Sequence, residues 1–204
     1  LDLNNTWSTT AAGVTITGTN YFVGNYDGGL YIRSNGAVSL NSINANSSVN
    51  GNGATINNST GSTTAPVNVL LTGINNFNSN AGSGLDVHSR GLITLNTVTA
   101  NGNGSGGSEY GLYLVNDYAA TTLTARGVTL AGVNVVKDTD GLDGVKILSK
   151  GIIMINSLTA SGTLNGDGAD LYNAYSGFVS GVSMTGVNNF SDNSHVGLNI
   201  TSLG

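Results

Sequence analysis

The sequence predicts an all-β fold built as a stack of coils whose strands pair in parallel, and three observations carry that expectation. One eight-residue unit recurs: Gly29-Leu30-Tyr31-Ile32-Arg33-Ser34-Asn35-Gly36, then Gly84 to Gly91, Gly144 to Gly151, and Gly197 to Gly204. Its copies begin 55, 60 and 53 residues apart, and self-similarity at such a period marks a quasi-one-dimensional architecture in which each repeat packs on its neighbours. After the first three copies, apolar and polar residues alternate, as in Val38-Ser39-Leu40-Asn41, Ile93-Thr94-Leu95-Asn96 and Ile153-Met154-Ile155-Asn156. That is the period of a strand, and helical spacing is nowhere sustained.

Each element follows in order. A second kind of coil lies between the eight-residue units. It opens as Leu1-Asp2-Leu3-Asn4-Asn5, Gly53-Ala54-Thr55-Ile56-Asn57-Asn58, Gly111-Leu112-Tyr113-Leu114-Val115-Asn116 and Gly168-Ala169-Asp170-Leu171-Tyr172-Asn173. Its second half reads Val14 to Phe22, Val69 to Phe77, Val128 to Val136 and Val182 to Phe190. Two coil types therefore alternate, each about 24 to 33 residues long between these anchors. A coil of that length holds a few short strands joined by turns. At about 4.8 Å per coil, about seven to eight coils make a rod of roughly 35–40 Å with one continuous apolar core. Residues 1–204 then form a single elongated domain without an internal linker.

One column tests the alignment. The fifth residue of each rung is Asn5, Ser34, Asn58, Ser89, Asn116, Ser149, Asn173 and Ser202, alternating Asn and Ser without exception. It follows two apolar positions that should face inward. Small polar side chains there are expected to form an internal ladder, bonding their equivalents one coil above and below and satisfying the backbone where the strand turns. The other reading of the column is a row of solvent-facing turn residues.

The G-L-x-I-x-S-x-G and V-x-L-x-G-x-N-x-F runs resemble those of right-handed parallel β-helix (β-solenoid) proteins, the group that includes pectate-lyase-like enzymes and the long solenoids of bacterial surface adhesins. The resemblance covers essentially the whole chain. It implies the right-handed parallel β-helix with two alternating coil types, and an extracellular or cell-surface setting. It does not imply one activity, because family members range from polysaccharide lyases to inert spacers.

Composition narrows the partners. Charged residues are 8% of the chain, and the net charge is −5 with six Lys and Arg. A nucleic acid or an anionic membrane surface is a poor partner for such a chain, and no apolar run is long enough to span a bilayer. There is no cysteine, hence no disulfide. Leu1 opens a rung with no capping segment before it, and Gly204 stands where Gly36 does, so both ends read as uncapped. Open coil ends favour edge-to-edge pairing. The chain therefore reads as a segment of a longer solenoid or fibre, continued by further coils or by end-to-end self-association.

The candidate chemistry is thin. Outward positions of the first rung strand place Asp2, Tyr31, Asp86, Tyr113, Lys146 and Asp170 in one column, with Arg33, His88 and Tyr172 in the next. A β-helix lyase needs clustered carboxylates, often with Ca²⁺, and a basic residue beside them. Within the column the carboxylates fall two or more rungs apart, about 10 Å, so catalysis is not expected and no catalytic residue is assigned. Tyr31, Tyr113 and Tyr172 are the candidate carbohydrate face. Asp138, Asp140 and Asp143 beside Gly141 form half of an EF-hand pattern without its closing Glu, a candidate Ca²⁺ loop; otherwise no cofactor is expected. Asn165 to Leu171 resembles a single copy of a Gly-rich Ca²⁺-binding nonapeptide, a site that needs several copies. His88 and His195 have no second His or Cys nearby. The expected function is a non-catalytic structural segment, an adhesin stalk or filament. A polysaccharide-active lyase or hydrolase, or a carbohydrate-binding β-helix, is the alternative.

Overall fold

A computed structural model describes residues 1–8, 10–59, 67–118 and 126–204. Pro66, the only proline, lies outside them. The described residues form twenty-one strands and no helix. The first sheet stacks β1 (Asp2–Asn4), β4 (Leu30–Arg33), β7 (Ala54–Asn57), β10 (Leu85–His88), β13 (Leu112–Asn116), β16 (Val145–Ser149), β19 (Ala169–Tyr172) and β21 (Leu198–Thr201). The second stacks β2 (Val14–Ile16), β5 (Val38–Asn41), β8 (Val69–Thr72), β11 (Ile93–Asn96), β14 (Val128–Ala131), β17 (Ile153–Asn156) and β20 (Val182–Thr185). The third holds β3 (Asn20–Tyr21), β6 (Ile43–Asn44), β9 (Asn75–Asn76), β12 (Val98–Asn101), β15 (Asn134–Lys137) and β18 (Leu158–Ser161). Every pairing is parallel and joins strands one coil apart, as in Ile32↔Ile56 and Leu114↔Ile147. The chain is a right-handed parallel β-helix, the hand that parallel crossover connections take.

Coil length alternates with coil type. Ile32 to Ile56 spans 24 residues and Leu114 to Ile147 spans 33. The difference lies mainly at the corner between the first and second sheets. Ser-bearing coils turn there in a short segment, such as Ser34-Asn35-Gly36-Ala37, whereas Asn-bearing coils have more residues of sequence before the second sheet resumes.

Each strand buries alternate residues, and the buried set forms one core: Leu30 and Ile32, Val38 and Leu40, and so on up the stack to Ala169 and Leu171. A fully buried Leu or Ile contributes about 1.5–3 kcal/mol relative to exposure. In the third sheet the second inward position alternates in size, Phe22, Ala45, Phe77, Ala100, Val136, Ala160, Phe190. Large residues on the Asn-bearing coils thus sit between alanines on the Ser-bearing coils, which keeps the cross-section filled without overpacking.

The Asn/Ser column occupies the first corner. From Ser34 to Asn173 every member is buried, while Asn5 and Ser202 are half-buried. The hydrogen bonding differs from a side-chain-to-side-chain ladder, because the partners are backbone groups. Asn116 Nδ2 donates to the carbonyls of Arg126 at 2.5 Å and Gly127 at 2.8 Å, stapling the base of its loop. Ser89 Oγ accepts the Gly91 N–H at 3.1 Å and donates to the Val67 carbonyl of the preceding coil at 2.9 Å. The physical reason is supply: a turn strands several carbonyls at once, and these compete better for the amide than another side chain a full coil away.

The other two corners carry polar columns that the sequence reading did not contain. Between the second and third sheets, Asn75 and Asn134 are fully buried. Asn134 Oδ1 accepts the Val98 N–H at 3.2 Å, and its Nδ2 donates to the Ala131 and Asn156 carbonyls at 3.2 and 3.3 Å. Asn75 does the same for Ile43. Between the third and first sheets, Asn80 N–H donates to Asn103 Oδ1 at 3.0 Å, and Asn103 Nδ2 to the Phe77 carbonyl at 2.8 Å. A glycine column follows. A Cβ on Gly111 would lie 2.5 Å from the Gly144 carbonyl oxygen and 2.3 Å from Val136 Cγ1, so the backbones there approach too closely for any side chain.

These contacts set an order of sensitivity. Asn116→Leu strands the Arg126 and Gly127 carbonyls and is expected to cost about 1–3 kcal/mol. Asn41→Leu, at a half-buried outward position bonded to Thr72 Oγ1, is expected to cost clearly less. Thermal melts of the two variants decide; equal, negligible losses would show that the corner amide does not hold the loop.

Candidate functional site

The outward face of the first sheet is where chemistry-bearing residues gather. By contrast, the outward residues of the second sheet's strands are Thr, Ser, Asn, Leu, Met and Ala, without a charge. Parallel register puts Asp86, Tyr113, Lys146 and Asp170 on four consecutive rungs of one column, about 14 Å from first to last.

Side chains from the corners complete this patch. Tyr110, just before β13, stacks on Tyr113 with centroids 4.7 Å apart and planes 19° from parallel. Lys146 Nζ donates to Asp170 Oδ2 and lies 3.8 Å from Asp143 Oδ2. His88 is held from both sides: Nε2 is 2.9 Å from Asp86 Oδ1, Nδ1 is 2.6 Å from Tyr118 Oη, and the ring meets Tyr113 edge-on at 5.5 Å. Tyr175 Oη donates to Asp117 Oδ2 at 2.9 Å, and its ring meets Tyr172 at 5.1 Å and Lys150 at 5.8 Å. Within the column the carboxylates remain apart, but Asp143 arrives from the corner to lie against Lys146, a placement that strand periodicity does not encode.

Ionisation follows this packing. Burial pushes the Asp143 carboxyl above its ordinary value, opposed by the Asp167 N–H and by Lys146. Burial pulls the Lys146 ammonium down, but its bond to Asp170 more than offsets this, and its pKa is raised. Burial raises Tyr110, Tyr113 and Tyr118; Tyr175 is raised most, by burial and then by its bond to the Asp117 carboxylate.

The other sequence candidates divide. Tyr31, Tyr113 and Tyr172 do not form one row. Tyr31 is three rungs below Tyr113 and lies under Arg33, whose guanidinium is 4.9 Å from the ring and 3.5 Å from Asp2. Tyr172 is in the neighbouring column two rungs above Tyr113 and donates to the Ala174 carbonyl. Val115, an outward position beside His88 in register, is buried. Among the described residues no three His, Cys, Asp or Glu side chains converge as a metal site, so Asp138, Asp140 and Asp143 are not brought together as one. Asp143 Oδ1 instead accepts the Asp167 N–H at 2.9 Å, and Asp167 Oδ1 accepts the Val196 N–H at 3.0 Å. One acidic residue of each Gly-rich loop, Asp143 and Asp167, thus serves as a backbone acceptor from one coil to the next. His195 is exposed. No helix is long and apolar enough to cross a membrane among the described residues.

Sequence reasoning missed Tyr110, Tyr118, Tyr175 and the Asp143–Lys146 contact. Tyr110 was within reach, since it stands three residues before Tyr113 across Gly111. Tyr118 and Tyr175 sit at loop bases, where no periodicity assigns a direction.

The chain matches no protein-family model, no curated protein and no solved structure.

The phenols give a pH test. Tyr110, Tyr113, Tyr118 and Tyr175 hold their protons longer in the folded chain than in the unfolded one. Their contribution to stability is intact below the ordinary tyrosine pKa, about 10, and is lost as pH rises beyond it. In an alkaline titration of phenolate absorbance, the native curve is expected to lag the denatured curve, and Tyr175→Phe to shorten the lag. Superimposed native and denatured curves would contradict the packing described.

Proposed function

We propose that this chain is a non-catalytic structural segment of an extracellular stalk or filament, a rod whose task is to hold distance. The observation that supports this most is continuity. The first and second sheets run the full stack without a break in pairing, and a single apolar core accompanies them. Sheet hydrogen bonds lie along the rod axis, so bending must stretch a whole face of backbone bonds at once. Short corners and closely approaching glycines leave little slack for the coils to shift. The amide- and hydroxyl-rich surface hydrates such a rod with few charges, and without cysteine the fold relies on no disulfide.

The rival reading as a lyase or hydrolase is weaker. The acid–base set of the upper coils is tied up internally, with Lys146 held by two carboxylates and His88 by Asp86 and Tyr118.

Two measurements test the reading. Incubation with acidic and neutral polysaccharides, with and without Ca²⁺, is expected to yield neither unsaturated products by ultraviolet absorbance nor new reducing ends. Cleavage that disappears in Asp86→Asn or Lys146→Ala would promote the enzyme. Pulled between its ends in optical tweezers, the chain is expected to lengthen in steps of one coil; extension like an unfolded polymer, without steps, would remove the mechanical role.

A further inference from the structure

Beyond its role as a rod, we propose that the first sheet's upper coils carry a binding site for a neutral polysaccharide, centred on the stacked Tyr110–Tyr113 pair and flanked by Asp86 on one side and the Asp143–Lys146–Asp170 group on the other. Each part of the geometry narrows the ligand. Tyr110 and Tyr113 lie nearly parallel at 4.7 Å and are half-buried. Parallel rings leave no space between them for a ligand group, and with His88 edge-on to Tyr113 at 5.5 Å the accessible aromatic surface is the outer part of the half-buried pair. That suits the apolar C–H face of a pyranose ring and does not form the angled cage that quaternary ammonium groups require.

The polar groups around the rings are ordered before any ligand arrives. His88 is clamped by Asp86 and Tyr118, and Lys146 by two carboxylates, with side-chain exposures of 22% and 23%. Pre-ordered groups lose little freedom on binding. The carboxylates keep unused lone pairs, which accept hydrogen bonds from sugar hydroxyls.

Charge excludes acidic sugars. The column has one ammonium, Lys146, and it is already engaged, while Asp86, Asp143 and Asp170 remain as a negative field with Glu109 close by. A uronate would meet repulsion with no free cation to offset it. Length favours a polymer, because the site follows four consecutive rungs along the rod.

The test uses affinity electrophoresis and calorimetry with a soluble neutral glucan, a mannan, polygalacturonate and chitosan. Binding to a neutral polymer is expected, and polygalacturonate should not bind. Tyr113→Ala and Tyr110→Ala should each lose about tenfold or more in affinity. Tyr110→Phe, which keeps the ring, should bind, as should Tyr21→Ala, which alters an exposed tyrosine on the third sheet. Melting curves of the same variants separate lost binding from lost folding. The proposal is overturned if no neutral polymer binds, if polygalacturonate or chitosan binds more tightly, or if the folded Tyr110 and Tyr113 alanine variants bind as the parent does. The rod reading survives all three results, since it does not depend on this face.

Discussion

Everything in this molecule depends on closing three sharp corners within a single backbone spacing. Parallel strands can continue from coil to coil only if each coil returns to its starting register about 4.8 Å further along the axis. Strands satisfy their own backbone groups in doing so; corners do not. A buried turn leaves N–H and C=O groups with no partner in its own coil, and each costs about 1–3 kcal/mol if left unpaired. Buried Asn side chains meet that demand at all three corners, joined by Ser at the first. Asn134 is the clearest case, taking one N–H from the coil below while giving its own hydrogens to two carbonyls. The apolar core supplies the larger free energy, but it would accept several registers, whereas the corner amides accept one.

The alternation of coil types has the same origin. An Asn reaches further than a Ser, so Asn-bearing coils can span a loop base, as Asn116 spans from Gly91 to Gly127, while Ser-bearing coils close a short turn. Alternation extends to the second corner. Gly73, Gly132 and Gly186 of the Asn-bearing coils adopt positive φ and pack against the hydroxyls of Ser42, Thr97 and Ser157 of the coil below. Those hydroxyl residues themselves adopt φ near +50°, which costs β-branched Thr97 most. In the third sheet Phe77 faces Ala45 and Ala100 across neighbouring coils. Two coils, not one, are therefore the structural repeat, in agreement with the spacing of the eight-residue unit.

Much of the fold was legible because its determinants are local and periodic. Leu30-Tyr31-Ile32 or Ile93-Thr94-Leu95 show direction by alternation alone, and repetition fixes which strands stack. The Asn/Ser column was legible for the same reason, although its hydrogen-bond partners were not, because a side chain's choice between a carbonyl and another amide depends on distances that sequence does not carry. The second corner left a signal, the Asn at Asn20, Asn75, Asn134 and Asn188, whose inward direction follows from the bend at the preceding glycine. The surface patch was the least legible. Asp143 and Tyr110 reach Lys146 and Tyr113 from corner segments, and Tyr118 reaches His88 from thirty residues away. Turns break the period of two, so no pattern aims their side chains.

Corner amides, and not the core alone, lock each coil in register. The amide hydrogen exchange of Val98 and Ile43 tests it most directly, since their N–H groups are bonded to Asn134 and Asn75 side chains and not to a strand. In the parent chain both are predicted to exchange as slowly as the strand amides of Leu95 and Leu71, and Asn134→Ala is predicted to speed exchange at Val98 while Leu71 remains protected. Fast exchange at Val98 and Ile43 in the parent, or unchanged protection of Val98 in Asn134→Ala, would contradict the claim.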